Sequence, residues 1–250
     1  MLSAAFPVFQ YDLFIPVFRP IRSGDWAVIV ADAVLCPGYW SDVRLVTGLA
    51  GLVRNGETWM SMSPMELESQ EIGVRLAEGH VVIFGLGMGW SAAVSALNDA
   101  VTSVTVVELD SDVLALHRDL DLFAQLPEAA AAKIRLIQGD AYDWRPDGPV
   151  DLLMPDIWLP LVSEGRVEEV RRMQANVQAK AIYFWGQEME IAHHAVAAGR
   201  KLDREGIAAT IADFRLPLIG LADPDYPEKL KRAAARRMLK RWLPGSTPTA

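Results

Sequence analysis

Three alternate glycines, Gly85, Gly87 and Gly89, stand between an apolar run at residues 81–84 and an alanine-rich stretch at 91–97. Glycine lets a backbone turn sharply and approach a ligand closely. The first turn of a following helix presents unpaired N–H groups suited to a polar or anionic ligand group. Leu86 and Met88 share that turn. A second apolar run, 104–107, ends in Glu108, twenty-three residues after Gly85. A carboxylate at the tip of a second strand, at about that spacing, accepts hydrogen bonds from both hydroxyls of a ribose. The chemistry implied is the holding of a nucleoside. A pyrophosphate is disfavoured, because the dinucleotide fingerprint needs a small residue at its third position and this chain has Trp90 there. Asp156 follows the stretch Val150-Asp-Leu-Leu-Met154, at a strand end where open α/β sheets place their ligands. It suits a base or orienting group for a substrate amine or hydroxyl, or else a turn or helix cap. Trp158 beyond it walls a pocket or fills the core.

Positioning these groups takes strands and helices in alternation. Residues 81–84 read as a central parallel strand, with 104–107, 134–138, 150–154 and 181–185 as its companions. The fold class expected is α/β, a Rossmann-like doubly wound sheet. Residues 207–214 read as a later antiparallel edge strand. Ser63-Pro64 opens a helix to about Leu76. Ser111 caps a helix that carries His117 on its surface. Residues 127–133 form a helical piece, and 166–173 an amphipathic helix with a solvated face. Gln187 reads as a cap. His193 and His194, being adjacent on a helix, point about 100° apart and cannot share a metal as an i, i+4 pair would. Before residue 63, a proline-interrupted aromatic arm (1–22) precedes strands at 26–31, 43–46 and 51–54, and the Asn55-Gly56 hairpin signal leads into 58–62. The division expected is a small N-terminal antiparallel β subdomain, 1–62, and a Rossmann-like domain, 63–250.

The sequence Gly85-Leu-Gly-Met-Gly89, followed by Val107-Glu108-Leu109-Asp110, resembles motif I and its successor in class I methyltransferases. That resemblance implies S-adenosyl-L-methionine as cofactor. Gly85, Leu86, Gly87, Met88 and Gly89 would shape the methionine side, and Glu108 with Leu109 the ribose side. Asp140 and Ala141, after the strand at 134–138, would hold the adenine edge through a carboxylate and a backbone N–H. Methyl transfer asks of a protein chiefly that nucleophile, methyl carbon and sulfur be aligned. More narrowly, Leu52-Val-Arg-Asn-Gly56, a hairpin return strand and Gln70-Glu71 on the helix before the glycine turn resemble the spermidine synthase family, over about residues 45–160. This implies Asp156 and Gln70 on the substrate side and a homodimer through the N-terminal subdomain. The chain departs from that family at Ser69, where the gate segment has tyrosine, and at Leu159, where the loop has a second aspartate. A diamine needs several carboxylates around its two ammonium groups. Three readings follow: a methyltransferase acting on an unidentified small molecule, an aminopropyltransferase, and a non-catalytic cofactor-binding protein of the same fold.

A formal net charge of −8 over 250 residues argues against a general nucleic-acid binder. One cysteine, Cys36, allows no internal disulfide, and no thiolate metal site is expected. The first residues lack the basic start of a secretion signal, and no apolar run reaches the length of a bilayer span. A cytoplasmic protein with a small-molecule substrate and no transmembrane segment is the expectation. The last helix, with Leu230, Ala234, Met238 and Trp242 on one face and seven basic residues over 229–241, reads as docked on the acidic body, or else as a membrane-surface or nucleic-acid helix. Residues 244–250 read as a tail.

Overall fold

The computed structural model describes residues 6–238. The expectations for Trp242 and for the tail at 244–250 lie outside them. From residue 7 the arm crosses the body in extended form and touches the sheet at one bridge, Val8 to Leu45. Four antiparallel strands follow, β1 (Ile21–Ser23), β2 (Trp26–Cys36), β3 (Arg44–Arg54) and β4 (Glu57–Ser61), paired in sequence order. The two segments expected at 43–46 and 51–54 are one strand, β3, which pairs with β2 from Trp26↔Arg54 to Cys36↔Arg44. Asn55 takes a left-handed conformation in the β3–β4 turn, as a tight hairpin requires.

The helix α1 (Pro64–Arg75) leads into the second sheet. Pro64 sits in its first turn, and the Ser63 side chain makes no capping bond. Gly73 lets α1 lie close to the sheet: a Cβ there would come within 2.6 Å of the Tyr183 ring and 2.7 Å of the Met154 methyl. The parallel strands are β5 (Gly79–Phe84), β6 (Val101–Glu108), β7 (Ile134–Gln138), β8 (Leu152–Pro155) and β9 (Ala181–Ile182), ordered β7-β6-β5-β8-β9. Val81, Val82 and Phe84 are fully buried, as an apolar strand covered on both faces must be. The chain leaves β5 first toward β6 and β7, then returns to its other side for β8 and β9. The reversal puts a crevice at the carboxyl end of β5.

The helices are α2 (Trp90–Leu97), α3 (Ser111–Leu120), α4 (Glu128–Ala131), α5 (Arg166–Val177), α6 (Gln187–Ala197), α7 (Arg204–Phe214) and α8 (Tyr226–Arg237). Several expectations are corrected. Residues 207–214 are helix, not an edge strand: Asp203 caps α7 by accepting from the Gly206 N–H, and Ile207, Thr210 and Phe214 are buried at a helical period. Asp110, not Ser111, caps α3 by accepting from the Asp112 N–H. Gly186 is the cap of α6, while Gln187 is buried and donates to Ile219 O and the Tyr226 hydroxyl. Arg166, expected on a solvated face, is fully buried. The α8 helix docks on the body through buried Tyr226, Leu230, Ala233 and Ala234, and its Arg236 pairs with Asp42. Among the described residues no helix is long and apolar enough to cross a membrane.

Candidate functional site

The crevice is a cavity of about 640 Å³. All twelve site residues read from the sequence line it: Gly85, Leu86, Gly87, Met88, Gly89, Glu108, Leu109, Asp140, Ala141, Gln70, Asp156 and Trp158. The floor is the glycine turn between β5 and α2, where Gly85, Gly87 and Gly89 all have positive φ. A side chain at Gly85 would collide with the Asp156 carbonyl oxygen, and one at Gly87 with the Met60 sulfur. The turn therefore needs glycine for two reasons, backbone conformation and close approach.

Glu108, at the end of β6, faces this turn. Its carboxylate accepts from the Leu86 N–H at 2.8 Å and from the Asp110 N–H at 2.8 Å, one bond to each oxygen. A carboxylate oxygen has a second acceptor direction, so the group is fixed without being used up. Burial pushes its acidity toward the neutral form, and the backbone N–H groups of Asp110, Leu86 and Leu109 oppose that shift. Leu109 beside it is 66% exposed, a flat apolar surface at the cavity rim. Beyond, Asp140 is exposed and holds the Tyr142 N–H with one oxygen at 2.8 Å, while Ala141 is buried.

Asp156 lies on the other side of β5, just past β8. Gln70 on α1 donates to it at 2.8 Å. Burial raises its pKa to about 7, against the opposing pull of the Arg166 guanidinium and the Gln70 bond. Arg166 donates to Pro160 O at 2.9 Å and to the Ser163 hydroxyl at 3.0 Å, and its guanidinium lies 3.9 Å from the Trp158 ring centroid. Trp158 thus stands between a buried cation and the cavity.

The antiparallel sheet supplies the roof through Trp26, Arg54, Trp59 and Met60. Trp26 donates its indole N–H to Asp110 at 2.8 Å, and so ties roof to floor. Sequence reasoning missed this roof, because nothing local to the strands announces ties such as the Trp26–Asp110 bond, whose partners lie 84 residues apart. It also missed Glu66, which lines the cavity one helical turn before Gln70. The i, i+4 spacing of Glu66 and Gln70 was the available signal. His117 was placed on a helix surface, but it is 3% exposed. Its Nε2–H donates to Gly87 O at 2.8 Å, which leaves Nδ1 bare and buried. Burial lowers its pKa to about 4, so the ring is neutral. Trp90 is buried too, and its indole donates to Phe14 O of the arm. His193 and His194 lie on α6, away from the cavity lining. Among the described residues no three His, Cys, Asp or Glu side chains converge on a point that could hold a metal ion.

Strand order, glycine turn and acidic strand ends define the chain as a Rossmann-like doubly wound α/β protein with a separate four-stranded antiparallel sheet. No family model and no curated protein matches it. Among solved structures it is similar to the methyltransferase domain of bacterial CtHen1 at 18% identity and a TM-score of 0.38, over 47% of this chain and 65% of that one. It is similar to the glycopeptide N-methyltransferase MtfA with S-adenosyl-L-methionine at 24% identity and a TM-score of 0.35, over 44% of this chain and 42% of that one. A third is a DhpI–SAM–HEP complex, at 19% identity and a TM-score of 0.33, over 44% of this chain and 48% of that one. The chain therefore spans less than two thirds of the length of each. The fold assignment stands on the strand order itself.

Proposed function

We propose that the chain is an S-adenosylmethionine-dependent methyltransferase acting on a small molecule. The observation that carries this reading is the pairing of the glycine turn with Glu108, whose two oxygens are each fixed by one backbone N–H and keep one acceptor direction for a ribose hydroxyl. The residues present fit the cofactor. A Cβ at Gly85 or Gly87 would fill the turn, the exposed Leu109 offers an apolar face to adenine, and Asp140 has a free oxygen for an amino group. A pyrophosphate reader fits worse, because Trp90 is committed to the arm.

In this reading Gly85 to Gly89 hold the methionine portion, Glu108 the ribose, and Asp140 with Ala141 the base. The cofactor, when bound, supplies a methyl carbon made electrophilic by a positively charged sulfur. The protein's part is alignment and proton handling. Gln70 orients Asp156, and burial holds Asp156 near half-protonation at neutral pH, as a group that must take up and release a proton requires.

Calorimetric titration of the full chain with S-adenosylmethionine, its decarboxylated form and NAD tests the reading. The first should bind, and Glu108→Ala should weaken it on the order of 100-fold, the loss of two charge-assisted hydrogen bonds. Preference for the decarboxylated form would move the reading to aminopropyl transfer. Binding of NAD alone would overturn it, and binding of S-adenosylmethionine unaffected by Glu108→Ala would remove the assigned site.

A further inference from the structure

The β8 side of the cavity has a chemistry of its own. Glu66 and Gln70, one turn apart on α1, both line it together with Asp156. Gln70 donates to Asp156, but among the described residues no donor is hydrogen-bonded to the Glu66 carboxylate. Two carboxylates thus line one cavity, and among the described residues one of them accepts no hydrogen bond.

The cations around them are committed elsewhere. Arg166 from α5 faces Asp156 from behind, and its guanidinium donates to Pro160 O, Trp185 O and the Ser163 hydroxyl. Arg237 from α8 faces Glu66 and donates to Pro37 O and Gly38 O. Neither supplies enough charge to keep both acids ionised. Burial raises Glu66 to about 8, with repulsion from Asp156 adding to it, and Asp156 to about 7. Empty, this end of the cavity carries bound protons in place of a counter-charge.

The walls match a cation with an apolar body. Five of the eight tryptophans line the cavity, among them Trp59, Trp158 and Trp185, together with Met60 and Met62. Aromatic faces attract ammonium groups and pack apolar surface. The other acidic lining residues, Glu108, Asp110 and Asp140, follow β6 and β7 across β5, where the adenosine of the proposed cofactor would lie. A second ammonium would therefore find no carboxylate on this side.

We infer that the acceptor is a hydrophobic monoamine, bound as an ammonium between Glu66 and Asp156 with its apolar or aromatic body against Trp59, Trp158 and Trp185. The inference rests on the methyltransferase reading of the cavity and names its substrate class. The bound ammonium gives one N–H proton to the carboxylate pair. The freed nitrogen lone pair forms the N–C bond to the methyl carbon as the C–S bonding pair returns to sulfur, leaving a methylated ammonium and a neutral thioether. The pair then returns its proton to solvent. Glu66 is thereby assigned as a specificity residue, unlike a diamine site, which needs carboxylates at both ends.

The test is calorimetry on the full chain at pH 7.5, in phosphate and in HEPES, whose ionisation heats differ. The probes are 2-phenylethylamine, the neutral isostere 2-phenylethanol and butane-1,4-diamine, each titrated with and without S-adenosylhomocysteine. The amine should bind with release of roughly one proton, because the ammonium displaces protons from the pair. The alcohol should bind without proton exchange, and the diamine at least tenfold more weakly than the amine. Glu66→Gln should cut amine affinity at least tenfold and reduce the proton release by more than half, while leaving S-adenosylhomocysteine affinity unchanged. Equal binding of amine and alcohol, tighter binding of the diamine, or no amine binding under either condition overturns the inference. These comparisons on the unaltered protein hold even if the variant fails to fold. If S-adenosylhomocysteine does not bind but the amine does so with proton release, the cofactor reading falls and the amine site stands. The converse result removes the amine site alone.

Discussion

His117 does its work through one hydrogen bond. Its Nε2–H holds Gly87 O, and a side chain at Gly89 would touch its ring, so the imidazole is packed beneath two of the three glycines. A neutral ring is required, and burial supplies it by depressing the pKa to about 4. Replacement by phenylalanine keeps the ring volume and removes the donor. We expect His117→Phe to lower stability by about 1–2 kcal/mol, the usual cost of leaving a buried carbonyl unpaired. The glycine turn would also lose its anchor, so S-adenosylhomocysteine affinity should fall about tenfold while binding at the Glu66–Asp156 end stays the same. Urea denaturation reads the first effect, calorimetry the second. Equal losses at both ends would show that His117 supports the domain in general and not the turn. Nothing near His117 in the chain announces this role, because its partner lies thirty residues earlier. Arg166 was misjudged for a different reason. A cation on a mixed-charge helix reads as solvated; the carbonyls of Pro160 and Trp185, the Ser163 hydroxyl and the nearby carboxylates of Glu190, Glu169 and Asp156 together make its burial tolerable.

Among the elements, α1 sets the distance between the two halves of the site. It carries Glu66 and Gln70 over Asp156, and it can lie so near β8 only because residue 73 has no side chain. Gly73→Ala should force the Tyr183 ring and the Met154 methyl to move, at a cost of about 1–3 kcal/mol from overpacking. It should also pull Gln70 away from Asp156, seen as a weakened amine affinity out of proportion to the change in melting. An unchanged melting temperature would mean that the contact relaxes freely. The central strands β5, β6 and β8 were legible because each is a short, mostly apolar run followed or ended by glycine or an acid, and burial on both faces writes that pattern directly. The segment 207–214 was not, since Ile207, Thr210 and Ile211 suggest β structure by residue type. The period of its buried positions, together with the Asp203 cap, is helical. The roof strands were legible as strands but not as a roof. The hairpin signal fixes local pairing, and nothing in it says that Trp26 will reach Asp110.

At the scale of the whole molecule, the site leaves its mark on how stability varies with pH. Two sets of buried groups act in opposite directions. His117 and His193 have folded pKa values lowered to about 4, so their contribution is complete above their unfolded value of about 6.5 and is lost as pH falls toward 4. Glu66, Asp156 and Glu190 have folded values raised to about 8, 7 and 7. The folded protein binds more protons than the unfolded chain between their unfolded values, near 4, and these raised ones. Their contribution is therefore complete at low pH and is lost as pH rises through 7 to 8. From pH 6.5 to 8.5 the folded histidines stay neutral while the unfolded ones shed their last half-proton each, a smaller opposing effect, so the carboxylates dominate. Unfolding free energy should fall across that interval by on the order of 1–3 kcal/mol, at about 1.4 kcal/mol per proton per pH unit. Glu66→Gln removes the largest share, and so should flatten the slope while leaving the acid side, set by the histidines, as it was. Saturation with 2-phenylethylamine should flatten it as well, because an ammonium between the carboxylates replaces the protons that the rise in pH removes. Urea denaturation at pH 6.5, 7.5 and 8.5 measures all three slopes. A variant slope as steep as that of the unaltered protein would mean that Glu66 is ionised throughout, and that this end of the cavity already holds its counter-charge.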